Sequence, residues 1–306
     1  MTRILVTGGC GFLGAKFAAR GRRAGHTLTT ADIASGADRT LDVGDPAAVA
    51  AIVAELKPDA IVHLAAGLTD AGERDPVGTV QFNALGTAAL FAAAETARVE
   101  RVIYASSISA VGPTSGIVGD DTRLEPGNVY GATKAFCEHF ARAMSARPHA
   151  PAYLGLRFGH VYGPGRVRGW RDLQVLVERV AVGERHLVYP DYPDAIDWTW
   201  VDDAADILLR ATERPLPRLA VVNVVGDKRP VRDAIAHLRR RFPDLLAEPV
   251  AALTPPAAWG LINDGLHALL GATPSTKLEQ GIDRLLAAQG VPGEGAPRSP
   301  CTGAGP

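Results

Sequence analysis

The sequence predicts an α/β protein, a doubly wound parallel sheet with a small C-terminal substrate-binding lobe. Three observations carry that prediction. From residue 3 to about 105, short β-branched or apolar runs alternate with longer alanine-rich amphipathic segments, which implies βαβ crossovers and a parallel sheet covered on both faces. A glycine-rich turn follows the first of these runs directly. After about residue 160 the pattern loosens into loops rich in Gly, Pro and Trp, mixed with helices.

The runs "RILVTG", "TLTTAD", "AIVHLA" and "RVIYAS" read as strands and the segments between them as helices. A short third strand precedes "LDVGD", a helix starts near Tyr130, and the strand "AYLGLRF" follows it. Further helices are expected near 171–182, 203–213, 230–241 and 275–288, while "LAVVNVVG", about 219–226, reads as a strand that returns to the main sheet. The predicted organisation is thus a sheet domain over 1–160, a lobe over 161–289 and a tail over 290–306. The tail alternates Gly and Pro with almost nothing apolar, cannot offset the entropy of ordering, and is expected to be disordered.

Composition narrows the function classes. The 306 residues are 47% hydrophobic and 21% charged, with 32 basic against 33 acidic side chains, an ordinary globular balance that asks for neither a nucleic acid nor an anionic membrane. A single core seldom grows beyond about 250 residues, so one large domain or two intimately joined ones are expected. The N-terminus enters "TRILVTGG" without a basic region and long apolar run, so no signal peptide is read there. The stretch "ALGTAALFAAAETA" is too short to span a bilayer. Cys10, Cys137 and Cys301 lie far apart without metal-ligand spacing, which points to a reducing, cytoplasmic setting and no metal site.

In "VTGGCGFLG" the glycines Gly8, Gly11 and Gly14 stand at three-residue spacing between a strand and a helix. Such glycines permit the tight turn, let backbone amides approach a pyrophosphate, and let the helix pack close on the strand. The expected contacts are Gly8, Gly11, Phe12, Leu13 and Gly14, with Cys10 a small spacer. Asp32 ends the second strand eighteen residues beyond Gly14. A carboxylate there accepts from both adenosine ribose hydroxyls and repels a 2′-phosphate, favouring NAD over NADP; the bland alternative is a solvated loop carboxylate. Asp42 and Val43 are candidates to bracket the adenine, although an Asp in a turn needs no such role.

"YGATK" puts Tyr130 and Lys134 four residues apart, on one helix face. A phenol, with an ordinary pKa of about 10, is a poor base at neutral pH, and a neighbouring ammonium favours its phenolate. The null alternative is an exposed helical pair. Upstream, "YASSISAVG" ends a strand with Ser106 and Ser107 at the carboxyl edge of the sheet, where open α/β sheets bind ligands. A serine hydroxyl there can hold a substrate oxygen for proton transfer to Tyr130.

Taken together, "TGGCGFLG", Asp32, "LDVGD", "HLAA" (63–66), "NALGT" (83–87), "SSISAVG" and "YGATK" resemble, in order and spacing, the extended short-chain dehydrogenase/reductases of the NAD-dependent epimerase/dehydratase family, UDP-glucose 4-epimerase-like members included. The resemblance is strong over about 3–213 and weaker to 288. It implies a Rossmann-type NAD-binding domain, Tyr130 as acid/base, Lys134 as its modulator and a second cofactor contact, and Ser107 as the catalytic hydroxyl, with Ser106 ranked behind it. It also implies that Leu64, Ala65 and Ala66 pass under the cofactor, that Asn83 fixes backbone near the active site, and that a homodimer forms through helices at about 79–97 and 130–146. His63 is read as a satisfied core imidazole.

The sequence departs from that family in three places. Members that make 4,6-dehydro sugars carry an acidic pair after the catalytic hydroxyl; here Ile108 and Ser109 stand there, which argues against dehydration. Nucleotide-sugar enzymes of the family usually have an arginine before the aspartate of a segment like "DWTWVDD"; here it is Ile196, preceded by Asp191 and Asp194. An asparagine normally precedes "VYGPG"; here it is His160, a candidate to contact substrate or to assist as a second acid/base. Cationic substrate contacts are instead sought in "GRVRGWR", at Arg166 and Arg168, with Arg171 close behind; a solvated basic loop is the alternative. Trp198 and Trp200 share one strand face, for lobe packing or for sugar stacking.

The expected function is NAD-dependent hydride transfer at a secondary alcohol carbon of a sugar-like small molecule. An epimerase-type reaction and a net dehydrogenase or reductase of a small non-nucleotide hydroxy substrate both remain open, since they need the same first half-reaction. A non-catalytic NAD sensor is the remaining class, and retention of Ser107, Tyr130 and Lys134 speaks against it.

Overall fold

The computed structural model describes residues 1–114, 116–192, 195–252 and 260–292. Asp194, Cys301 and nearly all of the expected tail lie outside the described residues. The strands are β1 (Arg3–Thr7), β2 (Thr27–Asp32), β3 (Arg39–Thr40), β4 (Ala60–His63), β5 (Arg101–Ser107), β6 (Ala152–Phe158), β7 (His160–Tyr162), β8 (His186–Asp191), β9 (Ile196–Trp200), β10 (Leu219–Val224), β11 (Asp227–Arg229) and β12 (Leu246–Ala251). The helices are α1 (Phe12–Arg23), α2 (Pro46–Leu56), α3 (Thr69–Arg74), α4 (Pro76–Thr79), α5 (Gly86–Thr96), α6 (Val129–Ser145), α7 (Asp172–Ala181), α8 (Val201–Glu213), α9 (Val231–Arg241), α10 (Asp264–Leu270) and α11 (Leu278–Ala288).

Seven strands form the main sheet in the order β3-β2-β1-β4-β5-β6-β10, and every neighbouring pair is parallel. The near-continuous apolar runs follow from burial on both faces. Ile4 and Val6 point to one side, against Phe17 and Ala18 of α1 and Ile207 and Leu208 of α8. Leu5 points to the other, against Val49 and Val53 of α2, Leu90 and Phe91 of α5, and Cys137 and Ala141 of α6. From β1 the chain first builds outward to β2 and β3, then crosses over to β4, β5 and β6. Their carboxyl ends therefore part beside β1 and open a crevice at the place where such sheets bind ligands.

β10 pairs with β6 in parallel, with Val222 opposite Leu156, so 219–224 lies in the main sheet. The return is wider than one strand, because α8 and Leu266 and Leu270 of α10 also pack into the sheet core. Lobe and sheet residues are thus interleaved after residue 160. The lobe core gathers Tyr162, Leu176, Val177, Trp198, Trp200, Ile235 and Leu238. Trp198 is stacked on Trp170 with centroids 5.4 Å apart, and Trp200 lies 5.2 Å from Tyr162. At 0% and 2% exposure both tryptophans are packing residues of the lobe. The parallel pair of β8 and β12 was not legible in the pattern, because β12 buries only Ala247 among its residues.

Pro76–Thr96 forms one helical run of 21 residues with mean hydropathy 1.3, longer than the stretch the sequence suggested and long and apolar enough to cross a membrane. Its buried residues, Asn83, Thr87, Leu90 and Phe91 among them, pack inside the molecule, as a core helix does. A π-helical turn at Val80–Leu85 interrupts it, and such turns often mark functional sites.

A buried ion pair locks α6 onto the sheet. Arg157 of β6 donates through Nη2 to Glu138 Oε2 at 2.8 Å and through Nε to Oε1 at 2.9 Å, and Ser106 Oγ of β5 donates to Oε1 at 2.5 Å. Both charged side chains are about 5% exposed or less. Arg157 also reaches the Asp120 carbonyl at 2.9 Å. His63, at the end of β4, is likewise satisfied: Nδ1 shares a hydrogen bond of 2.6 Å with Thr7 Oγ1, and Nε2 one of 3.0 Å with Thr87 Oγ1. Burial, with the nearby Lys134 charge, pushes its pKa down to about 3, so the ring is neutral.

Two outcomes follow. Glu138→Ala leaves the Arg157 guanidinium buried and unpaired, and is expected to cost about 3–5 kcal/mol in urea denaturation, with Glu138→Gln costing less. For His63, the unfolded chain takes a proton below pH 6.5 that the folded chain refuses down to about pH 3. Its contribution to stability is therefore complete above pH 6.5 and falls by about 1.4 kcal/mol for each pH unit below it. A His63→Gln variant should show a correspondingly flatter acid limb in denaturation midpoints between pH 6 and pH 4.

Candidate active site

The crevice begins at the glycine turn. Gly8 has φ +71°, and a Cβ on it would stand 2.5 Å from the Ala65 backbone nitrogen and 2.7 Å from the Leu64 carbonyl carbon. Gly14, in the first turn of α1, would put a Cβ 2.1 Å from the Gly8 carbonyl oxygen. Strand, turn and helix are therefore drawn together more closely than side chains allow, and Gly11 caps α1 without a side chain. The first amides of α1, at Phe12 and Leu13, are left for an anion. Leu64, Ala65 and Ala66 leave β4 directly beneath Gly8, and the Leu64 N–H donates to the Thr7 carbonyl at 3.0 Å.

Asp32 ends β2 beside this turn. Its Oδ2 accepts from the Cys10 N–H and its Oδ1 from the Ala34 N–H, each at 3.0 Å. Each oxygen keeps lone pairs for further donors, as two ribose hydroxyls require. Cys10 contributes its backbone; burial and the charges of Asp32 and Asp38 raise its thiol pKa. Asp38, which the sequence did not single out, adds a second carboxylate near this edge. Hydrogen bonds from the Thr30 N–H and hydroxyl, each 2.8 Å, hold it below the usual carboxylate range. Asp42 is exposed and accepts from the Gly44 N–H at 2.8 Å as a turn residue, while Val43 is 1% exposed inside the sheet core. The close-approach glycines, the open helix amides and the carboxylate at the end of β2 fit NAD, and Asp32 makes the edge unfavourable for a 2′-phosphate, while Asp38 is paired with Arg22 at 2.7 Å.

Tyr130 and Lys134 lie on α6, and Lys134 reaches β5 at the Ala105 carbonyl, two residues before Ser107 ends that strand. The Asn128 side chain caps α6 by accepting from the Gly131 N–H at 2.7 Å, which puts Tyr130 in the first turn, where the helix dipole favours negative charge. Lys134 is 5% exposed; its Nζ donates to the Ala105 carbonyl at 2.8 Å and stands 5.6 Å from the centre of the Tyr130 ring. The two serines separate cleanly. Ser106 spends its hydroxyl proton on Glu138, whereas Ser107 Oγ accepts from the Ser109 N–H at 3.1 Å and keeps its proton to donate. Asn83, on the π-helical turn, exchanges hydrogen bonds of 2.8 and 3.0 Å with the backbone of Gly67 and donates to Thr133 Oγ1 at 3.1 Å. It ties the segment after β4 to the helix that carries Tyr130 and Lys134.

The substrate side differs from the sequence expectation. His160 packs edge-on against Trp170 with ring centres 4.3 Å apart, and its Nδ1 has no hydrogen-bond partner among the described residues. Burial first, then the Arg166 charge, pushes its pKa down to about 3; such a ring is neutral near pH 7 and ill suited to donate as a second general acid. Arg166 turns inward, with its Cζ 5.6 Å from the Phe12 ring. Arg168 is exposed and is not among the residues that line the small cavity beside His160. Arg171 pairs with Glu178 at 2.9 Å. Ile196, in the position where relatives hold an arginine, is 1% exposed in the lobe core.

The sequence reading missed two residues here. Gln174 of α7 is 4% exposed and lines the same small cavity as His160, Arg166 and Trp170; a polar residue at a buried position of an otherwise apolar helix face was the available signal. Asp197 of β9 is fully enclosed, and burial pushes its pKa up to about 7 against hydrogen bonds from the Gly226 N–H at 2.5 Å and the Thr199 hydroxyl at 3.2 Å. A Cβ on Gly159 would meet Asp197 Oδ2 at 2.2 Å, so this carboxyl clasps the chain where it leaves the sheet for the lobe.

Comparison with known proteins agrees with this geometry. The model of the NAD dependent epimerase/dehydratase family matches residues 4–224. A dTDP-glucose 4,6-dehydratase of Xanthomonas campestris pv. campestris (strain B100) is 30% identical over 237 residues, covering 68% of this chain and 67% of that protein. A UDP-glucose 4-epimerase of Mycolicibacterium smegmatis is 28% identical over 235 residues, covering 68% and 72%. Among solved structures, MoeE5 in complex with UDP-glucuronic acid and NAD superposes with a TM-score of 0.80 at 25% identity, covering 93% of this chain and 98% of that one. With its glycine turn, Asp32 and a switch-point crevice on a parallel sheet, the chain belongs to the NAD-dependent epimerase/dehydratase family of extended short-chain dehydrogenase/reductases.

Proposed function

We propose that the protein catalyses hydride transfer at a secondary alcohol or ketone carbon of a sugar-like substrate, in an epimerase-type reaction run by Ser107, Tyr130 and Lys134. The observation that carries this reading is the Ser107 hydroxyl proton, left free to donate among the described residues at the end of β5, two residues beyond the Ala105 carbonyl that Lys134 reaches, while its neighbour Ser106 is spent on Glu138. When bound, NAD supplies the acceptor and donor of the hydride. Ser107 donates to the substrate oxygen and fixes its direction. Tyr130 takes the hydroxyl proton as the carbon is oxidised and gives it back on reduction. The Lys134 ammonium and the N-terminus of α6 stabilise the negative charge that Tyr130 carries in between. If the ketone turns over in the pocket before reduction, the stereocentre inverts. Ile108 and Ser109, the first of them buried and apolar, stand where dehydration would need an acidic pair after Ser107, and this argues against dehydration.

One observation favours a second reading. Ile196 is sealed in the lobe core where nucleotide-sugar relatives keep an arginine, which suits a net dehydrogenase or reductase of a smaller, non-nucleotide hydroxy substrate. A screen of free sugars, sugar acids and UDP- and dTDP-sugars, following nicotinamide absorbance and product stereochemistry together, separates the two. Inverted product from UDP-glucose or UDP-galactose without net NADH is the epimerase result. Stoichiometric NADH from a free sugar or hydroxy acid is the dehydrogenase result.

We also propose a homodimer through the α4 to α5 run and α6. Leu85 is 48% and Phe136 41% exposed, and the Phe136 ring stacks on Phe140 at 5.4 Å, an apolar surface such as dimers bury.

Two outcomes are expected. Tyr130→Phe should lower turnover by about 10²–10⁴-fold, the usual worth of a positioned acid/base, with the NAD Kd by calorimetry unchanged; full turnover in that variant would remove Tyr130 from the reaction, and an unchanged physiological output would identify a sensor. Phe136→Glu should shift the sedimentation coefficient from dimer to monomer while NAD binding persists.

A further inference from the structure

We propose that Arg166 receives a carboxylate carried by the substrate, so that the molecule oxidised or epimerised here is a sugar acid or hydroxy acid rather than a neutral sugar. This rests on the reading of Tyr130 as the acid/base, and it narrows the substrate class for that site.

The cavity beside His160 is lined by Arg166, Trp170, Arg171, Gln174 and Trp198. Four of its polar atoms are buried without a hydrogen-bond partner among the described residues: His160 Nδ1, Arg166 Nε, Arg171 Nε and Gln174 Oε1. Buried polar groups are ordinarily paired, and the cavity these residues line, about 10 Å³, has room for a single water or ligand oxygen, so the unpaired atoms mark a place where one polar ligand atom can seat. Gln174 is held in position by its amide, which donates to the Arg166 carbonyl at 3.1 Å and to Glu178 Oε1 at 2.9 Å, leaving Oε1 as an acceptor for a hydroxyl.

Charge separates the two arginines. Arg171 is neutralised by both oxygens of Glu178, at 2.9 and 3.1 Å. Arg166 has no carboxylate partner among the described residues; its surroundings are the Phe12 ring, Leu68 beside Gly169, the Val161 carbonyl and Arg171. Burial and the Arg171 charge both lower its pKa, while Tyr130 acts the other way, so the guanidinium lies within electrostatic reach of the phenol. A largely buried, uncompensated guanidinium is unfavourable by itself and becomes favourable when an anion arrives.

Geometry selects the anion. The Val161 carbonyl accepts from Nη1, which leaves the Nε and Nη2 edge, two parallel N–H directions matched to the two oxygens of a carboxylate. One uncompensated cation suits one negative charge. A diphosphate brings more charge than this lining offsets, since His160 is neutral and Arg168 stands outside. Leu68, which lies with the Arg166 guanidinium beside Gly169, opens α3, and a Cβ on Gly72 of that helix would stand 3.3 Å from the Tyr130 backbone nitrogen, so the carboxylate and the reacting carbinol belong to neighbouring portions of one molecule.

The test is calorimetric titration of the NADH-loaded enzyme, in which oxidation has no acceptor, with D-glucuronate and D-galacturonate against D-glucose and D-galactose. UDP-glucuronate is titrated against UDP-glucose in parallel, to separate a carboxylate from a diphosphate. At least a tenfold tighter Kd for an acid than for its neutral counterpart is expected, abolished in Arg166→Gln, partly kept in Arg166→Lys and unchanged in Arg168→Gln. No preference for any acid in the wild type, or a preference that survives Arg166→Gln, overturns the proposal. So does a UDP-glucose Kd equal to that of UDP-glucuronate, which would make the diphosphate the anion, and so does a tenfold weaker NADH Kd in Arg166→Gln, which would give the guanidinium to the cofactor. These readouts need no turnover, so they fail or succeed independently of the Tyr130→Phe result.

Discussion

The pairing of Glu138 with Arg157 inside the sheet-helix interface is the interaction on which the site depends. Three separate elements meet there: β5 through Ser106, β6 through Arg157 and α6 through Glu138. Ser107 follows Ser106 on β5, and Lys134 lies one turn before Glu138 on α6. Holding one pair of residues therefore sets the distance between the next pair. Two buried charges gain little over an apolar contact in stability, but their directional hydrogen bonds fix a register that apolar packing would leave free to slide. Asn83 does similar work on the other side of α6, where it joins the chain after β4 to Thr133.

The cofactor side is governed by close approach and charge. Gly8 lets the turn touch the backbone of Leu64 and Ala65, and this contact keeps β1 and β4 together at the point where the strand order reverses. Around it the signs are sorted. Open amides of α1 face the place for a pyrophosphate, and Asp32 faces the place for a ribose. Arg166, the lobe-loop arginine left without a carboxylate partner among the described residues that line the cavity, stands beyond Phe12. The opposite edges of the crevice thus carry opposite charge, which orients a dinucleotide and leaves a cationic corner for the substrate.

The lobe is organised around an aromatic cluster. His160, Tyr162, Trp170, Trp198 and Trp200 pack edge to face and face to face, an arrangement that contributes beyond area alone. Within that cluster a histidine is desolvated and neutral, so its use is as a hydrogen-bonding group of fixed shape rather than as a charge. Ile196, on the strand that carries Trp198, is absorbed into the same core. Charge for substrate binding then has to come from the loop, and it does so at one residue.

The sequence by itself determined the main sheet, the glycine turn, Asp32 and the Tyr130/Lys134 pair. Each of these rests on local rules: strand and helix periods, a turn that needs glycine, and two side chains four residues apart on one helix. It also placed His63 correctly as a satisfied imidazole. Tertiary structure decided everything that depends on which long-range neighbour a side chain meets. Family resemblance ranks Ser107 above Ser106, but the physical difference between the two hydroxyls comes from Glu138, which accepts from Ser106. Arg166, Arg168 and Arg171 are three equal arginines in a loop until Phe12, solvent and Glu178 take one each. The histidine of "LRFGHVYGPG" is an ordinary titratable residue until Trp170 and Trp198 remove its water. The physical reason is that burial and pairing act through space: Glu138 and Phe12 lie on segments that no periodicity links to Ser106 and Arg166, whereas Arg171, at the N-cap of α7, sits two helical turns before Glu178.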